Sequence, residues 1–280
     1  MPAPEAPDIA LIALTARGER DALGLLARRH AASVLRLARA ITGDDETAAD
    51  VTQETFLAAL RAAGAYRPER APVRTWLFAI ARNLARKSLR ADRNAQRATQ
   101  SRGERELIEL GVAAGWGSAD PERALARAEE AELIARALAS LSPADAEVLL
   151  LRDVEGLTGE QTASALALEL PAMKSRLHRA RLRLLEEIRM RKATLEESER
   201  EVGGLRCREV LARLSDYVDG DLSAAERAPV EAHLRGCSVC ERFGGRFAAM
   251  LRTTRDALGA PPPLDDALLD RIRDRLQSAA

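Results

Sequence analysis

The sequence predicts an all-α protein, and three observations carry that prediction. Ala, Leu, Arg and Glu dominate the 280 residues, and these are side chains that lose little freedom in a helix. Aromatic residues make up only 3% of the chain and β-branched runs are few, which leaves little from which to build a sheet. Gly, Pro and capping residues cut the chain into segments of helix length. At this length two or three domains are expected, each with a modest core.

A first block spans residues 9–97. Its predicted helices run from Ile9 to Leu14, Arg20 to Ala40, Asp44 to Ala63 and Val73 to Arg97. Gly18 separates the first pair, Thr42-Gly43 before an acidic helix start separates the second, and a loop at Gly64 to Pro72 carries Pro68 and Pro72. Residues 98–120 hold Gly103, Gly111, Gly115 and Gly117 and read as a flexible linker. Pro121, at a helix start, opens a second block over 121–192. Within it Ser142 is an expected N-cap with Pro143 next, Gly156-Leu157-Thr158 precedes another helix, and a turn falls near Ala167 to Leu170 before a basic helix. After an acidic connector, Glu196 to Gly204, a third block covers 205–278. Helices are expected at about 207–219, 223–235 and 238–258. A Pro261-Pro262-Pro263 break then precedes an amphipathic stretch with Leu264, Leu268, Leu269, Ile272 and Leu276 on one face.

The chain is neutral overall, with 43 basic and 43 acidic residues, yet its charge is segregated. From Arg74 to Arg97 seven basic residues face one acid, and from Lys174 to Lys192 eight face two, so each helix carries +6. Local basic surfaces of this kind are the electrostatic footprint of nucleic-acid binding. Met1 to Asp8 is Pro/Ala-rich and acidic, unlike a signal peptide, and no apolar run approaches membrane-spanning length, so a soluble cytoplasmic protein without membrane contact is expected. Three cysteines, all in the last third, argue against a disulfide framework. No Ser/His/Asp set, phosphate loop or open metal site is visible, so an enzyme is not expected.

Asp50, Gln53 and Glu54 share one face of the third helix, with Val51, Thr55 and Leu57 to Leu60 supplying packing. The fourth helix opens Arg74-Thr75-Trp76-Leu77-Phe78 and continues through Arg82, Asn83, Arg86, Lys87 and Arg90. That mixture suits single-stranded DNA, where an unstacked base rests on apolar side chains while cations track phosphates. In the second block, two short helices with a tight turn make a helix-turn-helix, whose second helix enters the major groove N-terminus first. Pro171 to Lys174, Ala172 and Met173 among them, are therefore placed for base edges and Arg176, Arg179 and Arg181 for phosphates, with Ser175 counted among the DNA-binding residues of the same helix. Cys207, His233, Cys237 and Cys240 form C-x25-H-x3-C-x2-C, a donor set able to close a tetrahedral structural zinc site.

The series Asp50-x-x-Gln53-Glu54-x-Phe56, Trp76-Leu77-Phe78-x-Ile80-Ala81-Arg82-Asn83 and Arg90 resembles region 2 of the extracytoplasmic-function (ECF) group of bacterial sigma factors, in the sigma-70 family. The helix-turn-helix resembles region 4 of the same family, with Ala167 where the turn often carries Gly. The resemblance implies that Asp50, Gln53, Glu54 and Phe56 contact the β′ clamp helices of the RNA polymerase core. It also implies that the loop and helix from Tyr66 to Arg90 melt and read the −10 element of promoter DNA, with Asn83 helping to read a flipped base, and that the second unit reads the −35 element and packs on the β flap. The third block is similar to a zinc-binding anti-sigma domain, here fused, which implies contact with the sigma domains within the same chain. Two alternatives stay open at this point. One is a helix-turn-helix regulator that never engages polymerase, and the other is a sigma factor whose last domain is a docking module rather than an inhibitor.

Overall fold

A computed structural model of the protein describes residues 5–96, 137–138, 140–189, 201–258 and 264–279. The expected linker at 98–120, the helix start at Pro121, most of the acidic connector and the triple proline lie outside the described residues. Among the described residues the fold is all-α apart from one two-stranded hairpin.

Four helices build the first unit: α1 (Asp8–Ala16), α2 (Arg20–Thr42), α3 (Asp45–Ala62) and α4 (Val73–Gln96). Gly43, at φ 68°, ends α2 in the left-handed region, and the Asp44 side chain caps α3 by accepting from the Thr47 amide at 2.7 Å. Leu23, Leu26, Leu37, Phe56, Leu77 and Phe78 are fully buried where α2, α3 and α4 meet.

The second unit holds α5 (Pro143–Leu149), a π turn at Leu150–Val154, α6 (Gly159–Leu166) and α7 (Leu170–Arg189). Ser142 caps α5 with Pro143 in the first turn, and Thr158 and Gln161 form a reciprocal capping box on α6. Ala167 closes α6 with φ 50°, alone among described non-glycine residues in the left-handed region. Its side chain is small, but the backbone conformation is what the turn needs there.

Strands β1 (Glu201–Val202) and β2 (Leu205–Arg206) then lead into α8 (Cys207–Asp219), α9 (Ala224–Gly236), α10 (Ser238–Leu258) and α11 (Asp266–Ser278). The hairpin replaces the end of the expected acidic connector. Gly203 and Gly204 turn it at φ 62° and 77°, and both values suit the two-residue turn between antiparallel strands.

One apolar cluster runs through all three units, joining Leu37 and Phe56 to Leu149 and Leu184, and to Phe247, Leu268 and Ile272. The C-terminal unit is therefore packed on the other two. Its helix α8 lies against α7, α10 against the π turn, and α11 across α2 and α3.

Candidate metal centre and nucleic-acid interface

The start of α8, the last turn of α9 and the first turn of α10 bring Cys207, His233, Cys237 and Cys240 together. All four are buried, and their donor atoms lie within 4.8 Å of one another. Cys207 Sγ and Cys237 Sγ are 3.8 Å apart, close to the edge of a tetrahedron with Zn–S bonds of about 2.3 Å. Nδ1 of His233 lies 3.0 Å from the Val202 carbonyl oxygen and 2.8 Å from that of Leu205, so it is the N–H donor. Nε2 is left buried without a hydrogen-bond partner, as a metal-ligating nitrogen would be. Burial, reinforced by Cys207 and Cys237, pushes the Cys240 thiol up to about 12, the penalty a bound cation would relieve. The donor set fits zinc with no position left open.

The hairpin supplies both carbonyls that orient His233. A Cβ on Gly203 would lie 2.9 Å from the Ala232 Cβ, so the strand turn sits directly on α9. Sequence reasoning placed this segment in a connector. The signal that could have found it is Gly-Gly between Glu-Val and Leu-Arg.

The basic helices divide their side chains between surface and interior. On α4, Asn83, Lys87 and Arg90 are exposed, and Trp76 is half-buried, its ring centroid 5.2 Å from that of Tyr66. Arg82 and Arg86 turn inward to Glu147 of α5. On α7, Ala172, Ser175 and Arg179 are exposed and Arg176 is half-buried. Lys174 pairs with Asp221 at 3.0 Å and Asp216 at 3.6 Å. Burial pulls the Lys174 ammonium down, but the Asp221 hydrogen bond and the two carboxylate charges outweigh it and leave it above its ordinary value.

Two expected DNA contacts on α7 are corrected. Met173 is core, packed near Gly159 beneath α6. Arg181 is wholly buried, donating to Asp153 (2.5 and 3.0 Å), Asp219 (2.7 and 2.9 Å) and the Ser215 hydroxyl. The reason is helical geometry: Lys174, His178 and Arg181 recur at four and three residues and share the face turned to α8. Ala172, Ser175 and Arg179 lie on the other face.

On α3, Asp50 is exposed and Glu54 is half-buried, accepting from Arg61 at 2.9 Å. Gln53 is only 6% exposed, and its side-chain oxygen accepts from Arg275 of α11 at 3.2 Å. Phe56 does not share that surface. It is fully buried in the α2–α3–α4 core, because it falls two residues past Glu54 and so points to the opposite side of the helix.

Two helical units with basic helices, the second a helix-turn-helix, followed by a unit with a closed four-donor metal site, define a DNA-binding regulator of transcription. Comparisons with known proteins make the class specific. The family Sigma-70 region 2 matches residues 26–95, Sigma-70, region 4 matches residues 131–184, and a family described as "Putative zinc-finger" matches residues 207–240. RNA polymerase sigma factor CnrH of Cupriavidus metallidurans is 33% identical over 183 residues, which cover 65% of this chain and 94% of that protein. RNA polymerase sigma-H factor of Pseudomonas aeruginosa is 31% identical over 182 residues, 62% of this chain and 90% of that one. A solved structure of CnrH in complex with the cytosolic domain of CnrY has a TM-score of 0.46 at 28% identity, covering 66% of this chain and 99% of that chain.

The chain belongs to the ECF RNA polymerase sigma factors of the sigma-70 family, which direct polymerase to promoters for transcription initiation. To the two sigma regions it adds a C-terminal zinc-finger domain of anti-sigma type. No described helix is long and apolar enough to cross a membrane.

Proposed function

We propose that the C-terminal unit is an inhibitor in cis, built on a structural zinc ion, and that it holds this cytoplasmic sigma factor away from RNA polymerase until it is displaced. The observation that supports this reading is helix α11. It lies across α2 and α3, burying Leu268, Ile272 and Leu276 and covering Gln53. Asp50, Gln53 and Glu54 are the positions assigned to the β′ clamp helices by resemblance, so α11 and polymerase compete for one surface. Arg20, at the start of α2, anchors the helix end by donating to the backbone oxygens of Gln277 and Ala279.

In the released state the first unit binds the clamp helices and reads the −10 element with Trp76, Asn83, Lys87 and Arg90. The second unit reads the −35 element with Ala172, Ser175, Arg176 and Arg179 and packs on the β flap. The protein acts by binding and does no chemistry of its own. Because inhibitor and target share one chain, the effective concentration is of roughly millimolar order, and modest contacts suffice for closure.

The test is transcription in vitro with core polymerase on promoter fragments, comparing the full chain with one ending at Lys192. Initiation by the shorter chain, with weak initiation by the full chain, is the expected result. Equal initiation overturns inhibition, and lower initiation by the shorter chain favours a recruiting role for the C-terminal unit.

A further inference from the structure

The two sigma units are fastened to each other by a set of ion pairs that involves no residue of the C-terminal unit. Glu147, on α5 of the second unit, has a fully buried side chain. It accepts from Arg82 Nε at 3.1 Å, from Arg86 Nε at 2.9 Å and from Arg86 Nη2 at 2.8 Å. Both arginines belong to α4 of the first unit. Glu155, just past the π turn, has a side chain only 3% exposed and pairs with Arg36 Nη2 of α2 at 2.6 Å and with Arg74 of α4. Arg74 Nη1 also donates to the Glu155 backbone oxygen at 2.8 Å.

Each carboxylate therefore gathers two guanidinium groups from the other unit. Two acceptor oxygens set against paired guanidinium forks are also the arrangement in which arginine binds a phosphate. Neither carboxylate is tolerable inside the protein without such partners. If the units part, however, Glu147 passes into water while Arg82 and Arg86 can pass to DNA, so a phosphate replaces the carboxylate as their anionic partner.

We propose that Glu147 and Glu155 form an internal clasp that keeps the free sigma units closed on each other, with Glu147 holding Arg82 and Arg86 in place of a DNA phosphate. The second half of this inference rests on the reading of α4 as a DNA-binding helix. Its consequence is a second level of control inside the sigma module. Displacing α8 and α11 exposes the polymerase-binding face, but Arg82 and Arg86 remain engaged until a polyanion competes for them. Asn83, Lys87 and Arg90, exposed on the same helix, are free to make the first contacts with that competitor.

The experiment uses the full chain carrying Leu268→Asp, Ile272→Asp and Asp219→Ala, which release α11 and α8 so that the C-terminal unit no longer bridges the two sigma units. This chain, with Glu147 and Glu155 intact, is the one unsubstituted at the clasp, and a donor and an acceptor dye are attached through non-natural amino acids at exposed Glu46 and Glu186, which spares the thiols. A Glu147→Gln/Glu155→Gln variant is expected to show a longer dye separation than the unsubstituted chain. It should also bind a short fluorescent DNA duplex about tenfold more tightly, since a larger fraction is open. Its log K against log salt should steepen by roughly 0.9 for each arginine freed to meet a phosphate. Independently of the variant's folding, saturating the unsubstituted chain with duplex at low salt should lengthen the same distance. An unchanged distance in the folded variant and in the duplex-saturated unsubstituted chain overturns the clasp. A lengthened distance with unchanged duplex affinity and salt slope upholds the clasp and overturns Arg82 and Arg86 as DNA contacts.

Discussion

Single residues carry several of the controlling decisions. Ala167 holds a backbone conformation that costs an L-residue about 1–2 kcal/mol, and Gly occupies it without that strain at a smaller entropic cost. Ala167→Gly should therefore raise stability by about 0.5–1 kcal/mol, read as a higher midpoint of thermal unfolding. Arg181 sits between Asp153 of its own unit and Asp219 of the C-terminal unit. In Asp219→Ala the guanidinium keeps Asp153, so the helix-turn-helix should stay folded. Docking of α8 should weaken by on the order of 2 kcal/mol, the worth of hydrogen bonds to a buried charge. Faster amide hydrogen exchange along α8, with α7 unchanged, would show it. His233 illustrates how one ring ties two structures together, since one nitrogen holds the hairpin carbonyls and the other is left for the metal.

At the scale of the element, α11 is the decisive piece. Three aliphatic side chains spaced at four residues are almost fully buried, each contributing about 1.5–3 kcal/mol relative to exposure. The opposite face is polar, so the helix has no reason to form alone and depends on the α2–α3 surface. Leu268→Asp with Ile272→Asp should undock it and strengthen binding to core polymerase at least tenfold, measured as the Kd of the full chain for the core enzyme. The zinc end of the C-terminal unit behaves differently, because the hairpin, the start of α8 and α9 meet at the four donors and over a small cluster of Leu205, Val210 and Val230, whereas α10 joins the large core. Removing metal with a chelator should loosen β1, β2, α8 and α9 together while α2 to α4 keep their protection, as hydrogen exchange by element would reveal. Structural zinc sites supply on the order of 10 kcal/mol of apparent folding energy, so the effect on this unit should be large.

At the scale of the whole molecule, the 43 basic and 43 acidic residues balance by composition, and the fold brings several of them together in pairs between units. Lys174 with Asp216 and Asp221, Arg181 with Asp219, and Arg82 and Arg86 with Glu147 all match basic side chains to carboxylates of another unit. The closed chain therefore hides part of the charge that DNA would meet. Comparing the full chain with one ending at Lys192 should show stronger salt dependence of DNA binding for the shorter chain, because Lys174 is released to meet phosphate. This measurement reads DNA contact, whereas transcription reads access to polymerase.

The sequence by itself determined the helical class, the order of the units, the cap at Ser142, the helix starts at Asp44 and after Thr158, and the four metal donors. Each of these is a local matter of spacing, capping chemistry or donor type, and so is visible along one chain. Asp50, Asn83, Lys87, Arg90, Ser175 and Arg179 were legible in the same way, as polar residues on helix faces that the structure leaves exposed. Only the tertiary structure decided that Phe56, Met173 and Arg181 turn inward, that α11 covers Gln53, and that Glu147 and Glu155 gather arginines more than sixty residues away in sequence. A helical pattern says which residues share a face, but not which neighbour that face meets. Burial and ion pairing are properties of the meeting, and they are settled only when the units pack.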